Sequence, residues 1–388
     1  MPKEVVILSA KRTPIGKYRG AFKEVSAVDL GVVATQAALA EAKLDPKEVD
    51  QVIFGQGLQA GLGQNPARQV QLAVNIPQTA PSMTINEVCG SGLKAIILGQ
   101  QVIQLGKAQV VVVGGMENMT QTPLYYPKAL KKADFQADQL VDGMIQDGLT
   151  DAFNQKHMGL TAELLAETYH ISREEQDQHA LNSHQKAFKA QQQGQFEQEI
   201  APVLLPDGTY LKADETVKKQ LTYTELADLP PVFKKDGSVT AGNASSLNDG
   251  AAVLILADKE YALKQGWDFI ASLGDYSEIG NDPNFMGYSP VIAIKELLQT
   301  TQKKIEDINL FEINEAFSVQ SLTVNQALEL PVEKVNIHGG AVALGHPIGA
   351  SGARIMTTLI HSLKANQTGI ASTCIGGGLG IALEVKKA

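Results

Sequence analysis

Asn86-Glu87-Val88-Cys89-Gly90-Ser91-Gly92-Leu93-Lys94-Ala95 opens a segment that ends at Val110-Val111-Val112-Val113-Gly114-Gly115. After Gly92 the apolar residues Leu93, Ile96, Ile97, Val102, Ile103 and Leu105 recur at helical spacing. The four valines are a continuous apolar run. Such a run suits a strand covered on both faces, hence a parallel sheet with helices on either side. Cys89 then stands at the entrance of a helix, whose positive end favours a thiolate. Glycines on both sides of Ser91 leave the backbone open to a ligand. Alone, a cysteine in such a turn reads more readily as a buried structural thiol.

The same order returns later in the chain. Gly349-Ala350-Ser351-Gly352 leads into a helix through about Leu363, then a strand over Gly369–Thr373 that ends at Cys374-Ile375-Gly376-Gly377. The repeat predicts two similar α/β halves. Further strands are expected over Val5–Leu8, Val52–Phe54, Ala251–Ala257, Phe269–Leu273 and Ile308–Ile313. Helices are expected over Leu30–Ala42 behind a capping signal at Ser26 and Asp29, and over Gln64–Ala73, Pro290–Leu298 and Ala316–Leu328. From Met119 to about 243 the chain is polar and loses this alternation. One long helix, opened by Ser172 and Glu175 and reaching about Gln193, is expected there. The division predicted is an N-terminal α/β half over 1–118 with 244–264, an inserted segment over 119–243, and a C-terminal half over 265–388.

Composition limits the function. The 388 residues carry a net charge of −9, which argues against general nucleic-acid binding. It leaves room for a small anionic ligand held by local lysines and helix N-termini. Two cysteines make no disulfide framework. The N-terminus is interrupted too early by Lys11-Arg12 to read as a signal peptide, and no apolar run approaches the roughly 20 residues that span a bilayer. A cytoplasmic protein that neither binds nucleic acid nor enters a membrane is expected.

Four places set reactive side chains beside glycines. They are Cys89; His346 in Gly345-His346-Pro347-Ile348-Gly349; Cys374 before Gly376-Gly377-Gly378; and Asn314 in Asn314-Glu315-Ala316-Phe317. Each has a plainer structural reading: a loop histidine bonded to a carbonyl, an inert core thiol, a helix-capping asparagine. All four, however, fall at or after expected strand ends, where ligands bind in α/β sheets. Two thiols and a histidine at one rim suit an activated nucleophile with a base beside it.

Val88-Cys89-Gly90-Ser91-Gly92, Gly242-Asn243-Ala244-Ser245, Asn314-Glu315-Ala316-Phe317, Gly345-His346-Pro347-Ile348-Gly349 and Cys374-Ile375-Gly376-Gly377-Gly378 resemble, in order, the signature blocks of the thiolases. Within that family the chain is similar to the acetoacetyl-CoA-forming acetyl-CoA C-acetyltransferases, a likeness supported by His157-Met158-Gly159 and Met286-Gly287. The resemblance implies the thiolase fold, a duplicated, layered αβαβα arrangement, with the inserted segment covering the coenzyme A site. It implies a ping-pong reaction in which Cys89 takes an acetyl group from one acetyl-CoA and His346 takes its proton. Cys374 then removes a methyl proton from a second acetyl-CoA, giving acetoacetyl-CoA and CoA; the reverse is thiolysis. His346 and a water held by Asn314 would form one oxyanion hole, and the N–H groups of Cys89 and Gly376 the other. His157, Met158, Phe233, Ala241, Ser245, Ala316 and Phe317 match positions that touch pantetheine, and Met286 one that lines the acyl pocket. No metal and no cofactor besides CoA as substrate and product is implied. A homo-oligomer, a dimer or a tetramer, is implied. Lys128, Lys131 and Lys132 form a small basic cluster that suits CoA phosphates or plain solvation. Ser246 and Ser318 depart from the family, whose members often carry Gly and Ala there.

Rival readings are weaker. Gly55-Gln56-Gly57-Leu58-Gln59-Ala60 after a short strand imitates a dinucleotide fingerprint, but Asn75 stands where an acidic residue belongs and Pro66 interrupts the helix. A ketoacyl-synthase relative would carry His or Asn in place of Cys374. A degradative 3-ketoacyl-CoA thiolase of broader chain length and a non-catalytic acyl-CoA carrier on the same fold complete the alternatives.

Overall fold

A computed structural model describes residues 3–126 and 139–388. In chain order the first half runs β1 (Val5–Arg12), β2 (Gly16–Lys17), α1 (Ala27–Ala42), β3 (Gln51–Gly55), α2 (Pro66–Ala73), β4 (Ser82–Ile85), α3 (Ser91–Gln104) and β5 (Val110–Asn118). Next come the hairpin strands β6 (Leu124–Tyr125) and β7 (Val141–Asp142), α4 (Met158–Tyr169), α5 (Arg173–Gln192), β8 (Val203–Leu204), β9 (Tyr210–Leu211) and α6 (Tyr223–Ala227). The chain returns to the sheet with β10 (Asn248–Asp258) and α7 (Lys259–Gln265). The second half is β11 (Ala271–Gly280), α8 (Ser289–Thr301), β12 (Leu310–Ile313), α9 (Ser318–Ala327), α10 (Ala341–Leu344), α11 (Ile348–Ser362), β13 (Thr368–Ile375) and β14 (Leu379–Lys387).

The main sheet runs β12-β13-β14-β11-β1-β10-β5-β3-β4. Its two halves repeat one pattern outward from the centre: two antiparallel pairings followed by a parallel one. β1–β10–β5–β3 matches β11–β14–β13–β12 strand for strand. Within the sheet the halves join where Val6 faces Ser272 and Ile7 faces Ala271. Helices α3 and α11 share one core with both halves of the sheet. Leu93, Ile96, Ile355 and Leu359 pack with Val111, Val113 and Leu254 on one side and Ile375, Ile381 and Leu383 on the other. The outer faces are covered by α1 and α2 in the first half and by α8 and α9 in the second. The result is the five-layer αβαβα arrangement.

The expected all-parallel sheet is corrected to a mixed one. β5 is parallel to β3 but antiparallel to β10. The valine run reports burial, not direction: Val110 and Val112 face the outer helices, while Val111 and Val113 face α3 and α11. The capping boxes at Ser26 with Asp29 and at Ser172 with Glu175 are formed. The inserted segment contains more than one helix, since α4 begins at Met158 with His157 as its cap. A buried ion cluster ties this segment to the sheet: Arg12 pairs with Asp214 at 2.7 Å and with Glu199 at 2.5 Å. Lys128, Lys131 and Lys132 lie outside the described residues. Among the described residues, no helix is long and apolar enough to cross a membrane.

Candidate active site

The helices α3 and α11, equivalent in the repeat, cross at equivalent glycines. A Cβ on Gly92 would sit 2.5 Å from the Ala353 nitrogen, and one on Gly352 would sit 2.3 Å from the Leu93 nitrogen. This close crossing brings the turns before the two helices together. Cys89 lies in the turn Val88–Gly90 before α3, and His346 lies just before α11. Val88 adopts φ +46°, a strained conformation for a β-branched residue, directly beside Cys89.

His346 Nε2 lies 3.3 Å from Cys89 Sγ, and His346 Nδ1 lies 2.6 Å from Ser351 Oγ. The Ser351 hydroxyl has one proton, which it donates to the Pro347 carbonyl at 2.9 Å. It therefore accepts from Nδ1–H, and the hydrogen-bond network assigns His346 as the Nδ1–H tautomer with a bare Nε2 facing the thiol. Burial, aided by the nearby Arg354 charge, pushes His346 down to about 3, so the ring is neutral. The Cys89 thiol is pushed up to about 11. Burial dominates there, opposed by the N–H groups of Gly376 and of Cys89 itself. The expectation of a helix-acidified thiol is thus corrected: the resting pair is a neutral thiol and a neutral imidazole. Cys374 is fully buried, and burial plus proximity to Cys89 raise its thiol further.

Asn314 is not a helix cap; Phe317 holds that position for α9. The Asn314 amide nitrogen sits 3.5 Å from both ring nitrogens of His346, over the ring rather than in hydrogen-bonding alignment. Its Oδ1 is buried and unpartnered among the described residues.

All the other described residues expected to act or to hold a ligand line one cavity of about 380 Å³. The two blocks Gly242–Ser245 and Asn314–Phe317 meet there: the Ser245 N–H and hydroxyl donate to the Ala316 carbonyl, and Ser318 N–H donates to the Asn243 carbonyl. His157 caps α4 by accepting from Gly159 N–H and stacks on Phe233, 4.7 Å between ring centroids. Gly159 is required because a Cβ would lie 2.3 Å from the Phe233 ring. Phe233 meets Phe317 edge-on, and Met158 and Met286 join the same apolar cluster.

Three supporting residues escaped the sequence reading. Ser351 fixes the His346 tautomer. Asn248 accepts His346 N–H at 2.9 Å. Glu117 accepts from the N–H groups of Gly57, Leu58 and Gly349, and burial, against these bonds, pushes its carboxyl up to about 7. Glu117 also answers the dinucleotide reading, because the N–H groups of Gly57 and Leu58 are held by a protein carboxylate. The available sequence signal was a carboxylate at the end of an otherwise apolar strand. Glu315 anchors the Asn314 loop. Burial would raise it, but His179, Asn336 and Ser183 hold it down to about 2. No group of carboxylates, thiols and imidazoles able to hold a metal occurs among the described residues.

The family models described as "Thiolase, N-terminal domain" and "Thiolase, C-terminal domain" match residues 5–260 and 267–387. A protein of Staphylococcus aureus (strain COL) named "Probable acetyl-CoA acyltransferase" is 49% identical over 388 residues, covering 99% of each chain. The crystal structure of the Acat5 thiolase from Ascaris suum in complex with coenzyme A is 43% identical over 100% of both chains, with a TM-score of 0.96. The crystal structure of human mitochondrial 3-ketoacyl-CoA thiolase is 41% identical over 100% of this chain and 99% of that one, with a TM-score of 0.95.

Proposed function

The chain belongs to the thiolase family and is an acyltransferase, and on that premise we propose that it is a short-chain thiolase, joining two acetyl-CoA into acetoacetyl-CoA and CoA and catalysing the reverse thiolysis. The observation that carries this reading is the Cys89–His346 pair at 3.3 Å, facing Cys374 across one apolar cavity. Cys89 attacks the acetyl carbonyl as its proton passes to Nε2 of His346. The new oxyanion lies against the N–H groups of Cys89 and Gly376, the donors already directed at the sulfur. Cys374 gives its proton to the departing CoA thiolate and is left as a thiolate. Its burial makes that thiolate a strong base, suited to a weakly acidic α-proton. It takes a proton from the methyl of the second acetyl-CoA. The carbanion attacks the acetyl-Cys89 carbonyl, and Cys89 leaves, regaining its proton from His346. Every proton is returned. During the second step His346 is an imidazolium beside the enolate oxygen. A water on the unpartnered Oδ1 side of Asn314 completes that hole.

The CoA arm enters between the α4 start and the Gly242–Ser245 block, past His157, Phe233, Ala241, Ser245, Ala316 and Phe317. On this reading the segment over 119–243 serves as the cover of the site. Met158 and Met286, both largely buried, fill the space beside the thiols and favour a short acyl group. Steady-state thiolysis of ketoacyl-CoAs of graded length tests this. Acetoacetyl-CoA is expected to be the best substrate by a wide margin; faster turnover of long chains would assign the chain to the broad-range degradative thiolases instead.

A further inference from the structure

Ser246 stands on the cavity wall beside Ser245 and is exposed to it. Its hydroxyl donates to Asn248 Oδ1 at 2.9 Å, and the same oxygen accepts the backbone N–H of His346 at 2.9 Å. Asn248 cannot turn away. It is buried, its Nδ2 donates to the Gly16 carbonyl at 3.0 Å, and it fills the space against Gly345, whose Cβ, were there one, would lie 2.3 Å from Asn248 Cγ. With its only proton given to Asn248, the Ser246 hydroxyl offers the cavity lone pairs alone. On a mostly apolar wall, that selects a hydrogen-bond donor.

The pantetheine arm of CoA carries two amide N–H groups. We propose that Ser246 accepts one of them, and so joins the arm to His346 through shared hydrogen bonds: the amide donates to Ser246, Ser246 donates to Asn248 Oδ1, and the His346 backbone N–H donates to that same oxygen. Hydrogen bonds in such a chain polarise one another. An amide on Ser246 strengthens its donation to Asn248 Oδ1, an oxygen that the His346 N–H shares, so Asn248 is the positioning residue between the arm and His346. Ser246 stands where thiolases often have Gly, so this is a contact that the chain adds to its site.

The inference rests on reading the cavity as a CoA site, and one set of measurements separates the two. CoA is titrated calorimetrically into the wild type, Ser246→Ala and Ser246→Thr, and thiolysis of acetoacetyl-CoA is measured for each. In Ser246→Ala the Kd for CoA is expected to weaken roughly two- to tenfold, the worth of one neutral hydrogen bond. Ser246→Thr, which keeps the hydroxyl, is expected to restore binding. If Ser246→Ala binds CoA as tightly as the wild type, the proposal is overturned and the CoA site stands, whether or not kcat falls. If the wild type itself fails to bind CoA, the reading of the cavity falls and the proposal with it.

Discussion

His346 Nε2 faces Cys89 Sγ at 3.3 Å although the two residues are 257 positions apart. The contact follows from the duplication. The two equivalent helices cross at Gly92 and Gly352, and each carries one partner in the turn before it. A thiol raised by burial and an imidazole lowered by burial share no ion pair at rest. On the proposed mechanism the proton moves when a substrate carbonyl arrives to take the negative charge.

Ser351 sets which ring nitrogen is bare. Ser351→Ala leaves Nδ1 without its acceptor and frees the ring to adopt the other tautomer. We expect kcat to fall roughly 10- to 100-fold, by analogy with the range seen when a partner orienting a metal-ligating histidine is removed, with KM within about twofold and an unchanged circular-dichroism spectrum. An unchanged kcat would remove Ser351 from the account.

The close helix crossing is a packing constraint. Gly352→Ala places a methyl group 2.3 Å from the Leu93 nitrogen, against backbone that has no flexible end to yield. A loss of about 1–3 kcal/mol in stability is expected, the usual cost of overpacking, together with lost activity as Cys89 and His346 are pushed apart. Urea denaturation and a thiolysis assay check both.

Glu117 makes stability depend on pH. Its folded carboxyl is raised to about 7 from an ordinary value of 4.5, so the folded state holds the proton more tightly than the unfolded chain. The stabilisation is complete below about pH 4.5 and is lost as pH rises through about 7, a change of up to about 3 kcal/mol. Glu312, raised to about 8 by burial, and Asp249, raised to about 6 by burial, act in the same direction. His346, lowered to about 3, acts in the opposite direction, so the expectation is comparative: Glu117→Gln makes the change in denaturation midpoint from pH 5 to pH 8 less negative than in the wild type. A variant with the wild-type slope would contradict the assignment.

Much of the site was legible because glycines mark it. Cys89, His346 and Cys374 stand within two residues of glycines, and Asn314 follows the end of β12. The supporting shell was less legible. Ser351 looks like an ordinary helix residue, Asn248 opens an apolar strand and Glu117 lies next to the end of one, where polar residues are commonplace. Strand direction was misjudged because a buried run such as Val110–Val113 has the same composition whether its neighbours are parallel or antiparallel. β14 was missed although Leu379, Ile381, Leu383 and Val385 alternate. The α4 helix was missed because its apolar stripe, Met158, Ala162, Leu165 and Ala166, is embedded in a polar segment. The thiol was expected to be acidic because a helix end is visible in sequence, whereas burial arises only from the fold.

The central claim is that Cys89 carries the acetyl group and Cys374 delivers the carbanion. Cys374→Ala, incubated with acetyl-CoA, quenched in acid and digested, tests both by peptide mass spectrometry alongside a condensation assay. We predict one acetyl group on the peptide containing Cys89, with condensation reduced by about 10²- to 10⁴-fold, the weight of a general base. Acetyl found on another residue, or condensation continuing at the wild-type rate in this variant, would contradict the account.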